Sequence, residues 1–221
     1  MRERERLSVG RRLLYHMFHS VCRGEIVQPR VVIFMAGLPG AGKSTIVRQR
    51  YRPDELPETV VVDLDTEISL HRRFDPDDPD GLYLQKSRRA YHWADQKVEN
   101  RFRAALVNES IRRIVVEGTG ANWQRQQRRM QLAQEAGWFV KVLYVRIPVE
   151  TAIRRAAARP RRPVTAKRVR EYHENVIKSL VAVAPFADEI ETFAPAHGIL
   201  LHLNNTLTNF LTARGSHYFR C

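Results

Sequence analysis

The run Gly37-Leu38-Pro39-Gly40-Ala41-Gly42-Lys43-Ser44-Thr45 satisfies every fixed position of the pattern G-x-x-x-x-G-K-[ST]. Each residue type in it answers a demand of a triphosphate. Glycines let successive backbone N–H groups turn toward one centre, and a helix that follows adds its positive end. A lysine such as Lys43 neutralises the β- and γ-phosphates, and a hydroxyl such as that of Ser44 ligates Mg2+. Gly37, Pro39, Gly40, Ala41, Gly42, Lys43, Ser44 and Thr45 are therefore the expected nucleotide-binding residues, with ATP and Mg2+ as the groups they would hold.

Three more groups of residues have types suited to the same chemistry. In Asp63-Leu64-Asp65, one carboxylate could hold Mg2+ or its water while the other takes a proton from an acceptor hydroxyl; a helix cap at Thr66 is the structural alternative. Glu117-Gly118-Thr119-Gly120 presents a carboxylate and a hydroxyl between residues without bulk, a composition suited to substrate binding. Arg154, Arg155, Arg159, Arg161 and Arg162 cluster around Pro160 and Pro163. On a mobile lid, such guanidinium groups close over transferring phosphates and exclude water. The competing reading of that cluster is an ordinary basic helix face.

These residues need elements to hold them. Val31 to Ala36 is an apolar run without alternation, the pattern of a strand buried on both faces of a parallel sheet. The glycine loop follows it directly, and Ser44 to Tyr51 reads as a helix closed by Arg52-Pro53. Val60 to Asp63, Ile114 to Glu117 and Phe139 to Ile147 read as further strands, so both carboxylate groups sit at strand ends, where open α/β sheets bring their ligands. Within the polar stretch Thr66 to Gly81, the acidic segment Asp75 to Gly81 reads as a loop of turn chemistry. Helices are expected from Leu82 to Asn108, with Tyr91 and Trp93 as core anchors, from Asn122 to Ala136, from Thr151 to Ala158 and from Val164 to Val181. Two short strands, Glu189 to Phe193 and Ile199 to Leu203, complete the expected elements. The architecture implied is α/β: a P-loop three-layer sandwich with a mainly parallel central sheet whose last strands depart from parallel order.

The chain has 221 residues, enough for one domain with a buried sheet. Residues 1–24 have a basic, amphipathic helical spacing, and residues 25–221 read as the P-loop domain. Glu3 and Glu5 count against an organellar presequence there, and a cytoplasmic location is expected. Cys22 and Cys221 form no zinc-spaced set and suggest a reducing compartment; no apolar run approaches a membrane span. The formal charge of +13 favours phosphate-bearing partners, either a small polyanion or a nucleic acid backbone.

Taken together, the loop from Gly37 to Thr45, the pair Asp63 and Asp65, and Glu117-Gly118-Thr119-Gly120 resemble the zeta toxin-like P-loop kinases. In order and rough spacing the resemblance covers Arg30 to Leu203. It implies transfer of the ATP γ-phosphate to a hydroxyl of a nucleotide sugar, typically UDP-N-acetylglucosamine. In that scheme Asp65 is the general base, and Lys43, Arg155 and Arg162 stabilise charge. Glu117 and Thr119 line the acceptor pocket, Asp63 and Arg159 flank it, and an antitoxin-like protein is the inhibiting partner. Ala121 departs from the pattern, since the family usually offers an arginine after Glu-Gly-Thr-Gly. Two other functions also fit the residues: a polynucleotide 5'-hydroxyl kinase, favoured by the charge, and a non-catalytic nucleotide- or RNA-binding module on the same core.

Overall fold

A computed structural model describes residues 29–75, 89–160, 163–194 and 199–203. The N-terminal helix expected over residues 1–24, both cysteines, the Asp-rich segment from residue 76 on, the first part of the long helix, Arg161, Arg162 and the last residues lie outside it.

Six strands form one sheet in the order β2-β3-β1-β4-β5-β6. They are β1 (Val31–Gly37), β2 (Thr59–Val62), β3 (Arg113–Val116), β4 (Phe139–Val145), β5 (Glu189–Ala194) and β6 (Ile199–Leu203). The first five are parallel, and β6 runs antiparallel to β5. The expected departure from parallel order is thus confined to the edge. From β1 the chain moves first to β2 and β3 on one side and then to β4 and β5 on the other, so the carboxyl end of β1 is the switch point at which such sheets open a crevice.

Side chains alternate about the sheet plane and give it two cores. Val32, Phe34, Val62, Ile114, Val140 and Val142 face α3 (Arg89–Val107), α4 (Trp123–Glu135) and α6 (Ala166–Val183), which bury Phe102, Met130 and Val183 against them. Ile33, Met35, Val115, Leu143 and Val145 face α1 (Lys43–Ile46) and the π-helical turn Val47–Tyr51. With α5 (Val149–Ala157) packing on α6, this is the expected three-layer arrangement.

The helix expected over Ser44 to Tyr51 is present but changes type: four α-helical residues give way to the π turn, which ends where Arg52 takes φ 43° ahead of Pro53. A short helix that was not expected follows β2, where Leu64–Ser69 forms α2. Its six residues are too few to show a period, but Asp63 caps it, Glu67 stands in its first turn, and Ile68 is buried beneath it. Tyr91 and Trp93 are half-buried and pack on this helix as a satellite cluster rather than in the main core.

Candidate active site

Gly40 and Gly42 adopt φ 84° and 88°, and the turn they make delivers Gly42 to the start of α1. A methyl group at Gly40 would stand 2.8 Å from the Ala152 carbonyl oxygen and 3.0 Å from the Ala156 nitrogen, so α5 lies directly on the loop. Leu38, buried among Ala152, Ala156 and Val169, fastens the same contact. The loop is consequently held between β1 and the helix that carries the arginine cluster.

Within the loop, the Lys43 ammonium donates to the carbonyl oxygens of Gly37 and Leu38, each at 2.9 Å. Two neutral acceptors are poor compensation for a buried charge. Burial, followed by the nearby Arg159 guanidinium, lowers the Lys43 pKa to about 8, while Glu117 and Asp65 pull the other way. Arg159 is therefore close enough for its charge to act on Lys43.

Beside Lys43, the Ser44 hydroxyl donates to Glu117 Oε1. Glu117 reaches it because β3 lies next to β1 in parallel register, with Ile33 opposite Val115 and Phe34 opposite Val116. Two backbone bonds lock this corner: the Gly37 amide donates to the Thr119 carbonyl at 3.0 Å, and the Glu117 amide to the Val62 carbonyl at 2.9 Å. Burial raises the Glu117 pKa; the Ser44 bond opposes that shift, and the Asp63 and Asp65 carboxylates add to it. Three acidic groups thus share a field around one hydroxyl and one lysine.

Asp63 makes the capping contacts that were the structural alternative for it. Its carboxylate accepts from the amides of Asp65 (3.3 Å) and Thr66 (2.9 Å) and from the Thr66 hydroxyl (2.8 Å), which makes it the cap of α2. The cap holds Asp65 on the first turn, exposed. The Thr119 hydroxyl accepts the Ala121 amide at 3.4 Å.

Arg155 and Arg159 are exposed at and just beyond the end of α5, the Cβ of Arg155 lying against the loop at Gly40. Val164 N donates to the Ala156 carbonyl at 3.1 Å, so the arginine-rich linker is tied back to the helix it leaves. The site thus joins Lys43, Ser44, Asp63, Asp65, Glu117, Arg155 and Arg159 from three strand ends and one helix. The contact between Glu117 and Ser44 had no signal in the sequence, because strand order puts β3 beside β1.

A family model described as an AAA domain matches residues 32–182. The chain belongs to this AAA-domain family. No curated protein matches it in sequence. Among solved structures, the PezAT chromosomal toxin-antitoxin system of Streptococcus pneumoniae is similar, with a TM-score of 0.60 and 17% identity over 85% of this chain and 80% of that one. A chain of the AvrRxo1-ORF1:AvrRxo1-ORF2 complex, solved with sulphate ions, is similar at a TM-score of 0.51 and 17% identity, over 88% of this chain and 65% of that one. The same complex solved with ATP gives a TM-score of 0.51 and 16% identity. The AAA-domain chain therefore spans less than two thirds of the AvrRxo1 chain. At these identities the likeness is one of fold.

Among the described residues of this AAA-domain protein, no helix is long and apolar enough to cross a membrane. Nor does any group of three or more His, Cys, Asp or Glu side chains stand ready to hold a metal unaided. A magnesium ion makes no such demand, since it keeps several waters and binds through one or two protein oxygens plus phosphate. The contact of Ser44 with a carboxylate whose neighbours are also acidic fits that ion.

Proposed function

We propose that the chain is a phosphotransferase that moves the γ-phosphoryl group of ATP to a hydroxyl of a small acceptor, with a nucleotide sugar such as UDP-N-acetylglucosamine as the first acceptor class. The observation that carries this reading is the Lys43 ammonium, bonded to the Gly37 and Leu38 carbonyls inside a glycine turn, beside a Ser44–Glu117 contact at the switch point of a parallel sheet. Its charge is desolvated there, which suits an anionic ligand.

The roles follow from position. The amides of Gly37 to Thr45 and Lys43 hold the phosphates. Ser44 and Glu117 would hold Mg2+, with Asp63 adding negative charge from the cap; when bound, the ion neutralises phosphate charge. Asp65, exposed on the first turn of α2, takes the proton as the acceptor oxygen forms its bond to the γ-phosphorus and the bond to the departing ADP breaks. Arg155 and Arg159 stabilise the equatorial oxygens, Arg159 having support from its charge at Lys43; Arg162, outside the described residues, is assigned the same role by the resemblance alone. Thr119 contacts the acceptor. The toxin-antitoxin neighbour supports an antitoxin-like inhibitor protein as partner.

Labelled ATP offered with a panel of nucleotide sugars tests the reading. Transfer of label to an acceptor by the wild type, lost in Asp65→Asn with ATP binding retained, is the expected result. ATP binding without transfer to any acceptor hydroxyl would leave only the nucleotide-binding module.

A further inference from the structure

Asp65 stands on a helix too short to hold itself. An isolated helix of fewer than about 12 residues is marginal in water, and α2 has six. Its cap fixes one end, where Asp63 accepts the amides of Asp65 and Thr66. On its inner side Ile68 is buried in a cluster with Ala90 and Ala94 of α3, against which Leu64, Tyr91 and Trp93 also pack. That contact holds α2 on α3, but apolar burial is non-directional and chooses no rotation about the helix axis.

The direction comes from Glu67, a carboxylate only 6% exposed in the first turn of α2. Its Oε1 accepts from Arg101 Nη1 at 3.2 Å, across 34 positions of the chain. Arg101 projects from a stretch of α3 that cannot turn, because Val98, Phe102 and Ala105 around it are buried in the main core and Glu99 is paired with Arg129 of α4 at 3.0 Å. A buried ion pair adds little net stability over apolar side chains of similar volume, since desolvation offsets most of the attraction. What this pair supplies is an orientation, because a guanidinium and a carboxylate bond along fixed directions.

Helical geometry carries that orientation to the site. At 3.6 residues per turn, positions two apart point about 200° away from each other. Glu67 turned inward to Arg101 therefore leaves Asp65 turned outward, on the side where its charge acts on both Lys43 and Glu117.

We infer that Glu67 and Arg101 are positioning residues whose pairing sets the rotation of α2 and so aims the Asp65 carboxylate at the P-loop. The catalytic consequence rests on the phosphotransfer reading above, and both residues act through Asp65.

The test uses the full-length protein and two readouts. Hydrogen exchange follows the amides of Glu67, Leu70 and His71, which donate within this segment to Asp63, Glu67 and Ile68. Arg101→Ala should speed their exchange about tenfold or more with β1 unchanged, and Arg101→Lys should restore most of the protection. The second readout is label transfer from ATP to UDP-N-acetylglucosamine and the other nucleotide sugars of the panel. Arg101→Ala and Glu67→Met should each lower kcat about 10- to 100-fold and leave ATP affinity by calorimetry within about twofold. Glu67→Met fills the same space without a charge, so its urea midpoint should stay at or above that of the wild type. In the Asp65→Asn background neither substitution should lower kcat further, whereas a pair that only stabilises the fold would act additively. The inference is overturned if Arg101→Ala leaves the α2 amides exchanging as in the wild type, or if either substitution lowers kcat independently of Asp65. Absence of transfer by the wild type to every sugar would instead sink the phosphotransfer reading, and the exchange readout would still decide whether the pair holds α2.

Discussion

The same sheet face carries buried charge in two places, and the two are built in opposite ways. Between the π turn and strands β4 and β5, Glu191 is fully buried and receives two bonds from Arg50, one of them at 3.0 Å, and one from Lys141 at 2.6 Å; Lys141 also reaches Glu189 at 2.8 Å. Burial alone would push the Glu191 carboxyl up, but its bonds to Arg50 and Lys141 outweigh that and hold it below the usual range. At the P-loop burial is not outweighed, and like charges add to it. Burial and then Arg159 lower Lys43 against the pull of Glu117 and Asp65, and burial with Asp63 and Asp65 raises Glu117 against the Ser44 bond and Lys43. Complementary pairing belongs to architecture, whereas concentrated like charge belongs to a place that expects a charged visitor.

The largest effect that would test this contrast is on turnover. Lys43→Ala should lower kcat about 100- to 1000-fold in a labelled-ATP assay while leaving the urea midpoint no lower than wild type, because the lysine is a strained charge in the empty fold. Unfolding of that variant at lower urea would show that Lys43 supports the structure, and the contrast would be broken.

Glu191→Gln should do the reverse, costing about 3 kcal/mol in urea unfolding with transfer activity changed little at a temperature where the protein remains folded. Because the folded-state pKa of Glu191 is depressed, its stabilisation is present above the unfolded carboxylate pKa and is lost as pH falls through the folded one. The wild type should therefore lose an acid-range increment of stability that the Gln variant lacks.

A smaller effect sharpens the P-loop half. A bound polyphosphate raises the Lys43 pKa above about 8. ATP affinity should then be flat below that pH and fall by up to about tenfold per unit above it, with proton uptake on binding measurable by calorimetry in buffers of different ionisation enthalpy. An affinity independent of pH from 7 to 9.5 would contradict the assignment.

The smallest effect serves as the reference. Arg168→Ala, which removes the exposed pair with Glu171 at 2.7 Å, should change stability by no more than about 0.5 kcal/mol.

Much of the phosphate half could be read directly from the residues. A glycine-lysine-serine run is contiguous, so local chain geometry alone brings its amides together after a strand as uniformly apolar as β1. The carboxylate half was less legible. Asp63 had two readings, metal ligand and helix cap; the six-residue α2 was too short to show a period, and the observed bonds assign the carboxylate to the cap. Glu117 could be placed at a strand end, but its contact with Ser44 spans 73 positions and depends on which strand lies beside β1. The partner of Glu191 was hidden for the same reason, since Arg50 is 141 residues away.

By itself the sequence determined the loop, the class of ligand that fits it, the strands of the sheet and the antiparallel tendency at its end. Each of these is written in neighbouring residues, where stereochemistry and hydrophobic period act over a few bonds. Only the tertiary structure decided which carboxylate meets Ser44, that α5 rests on Gly40, and that Arg50 reaches Glu191. Those contacts are made by chain segments far apart in number, brought together by strand order and helix packing.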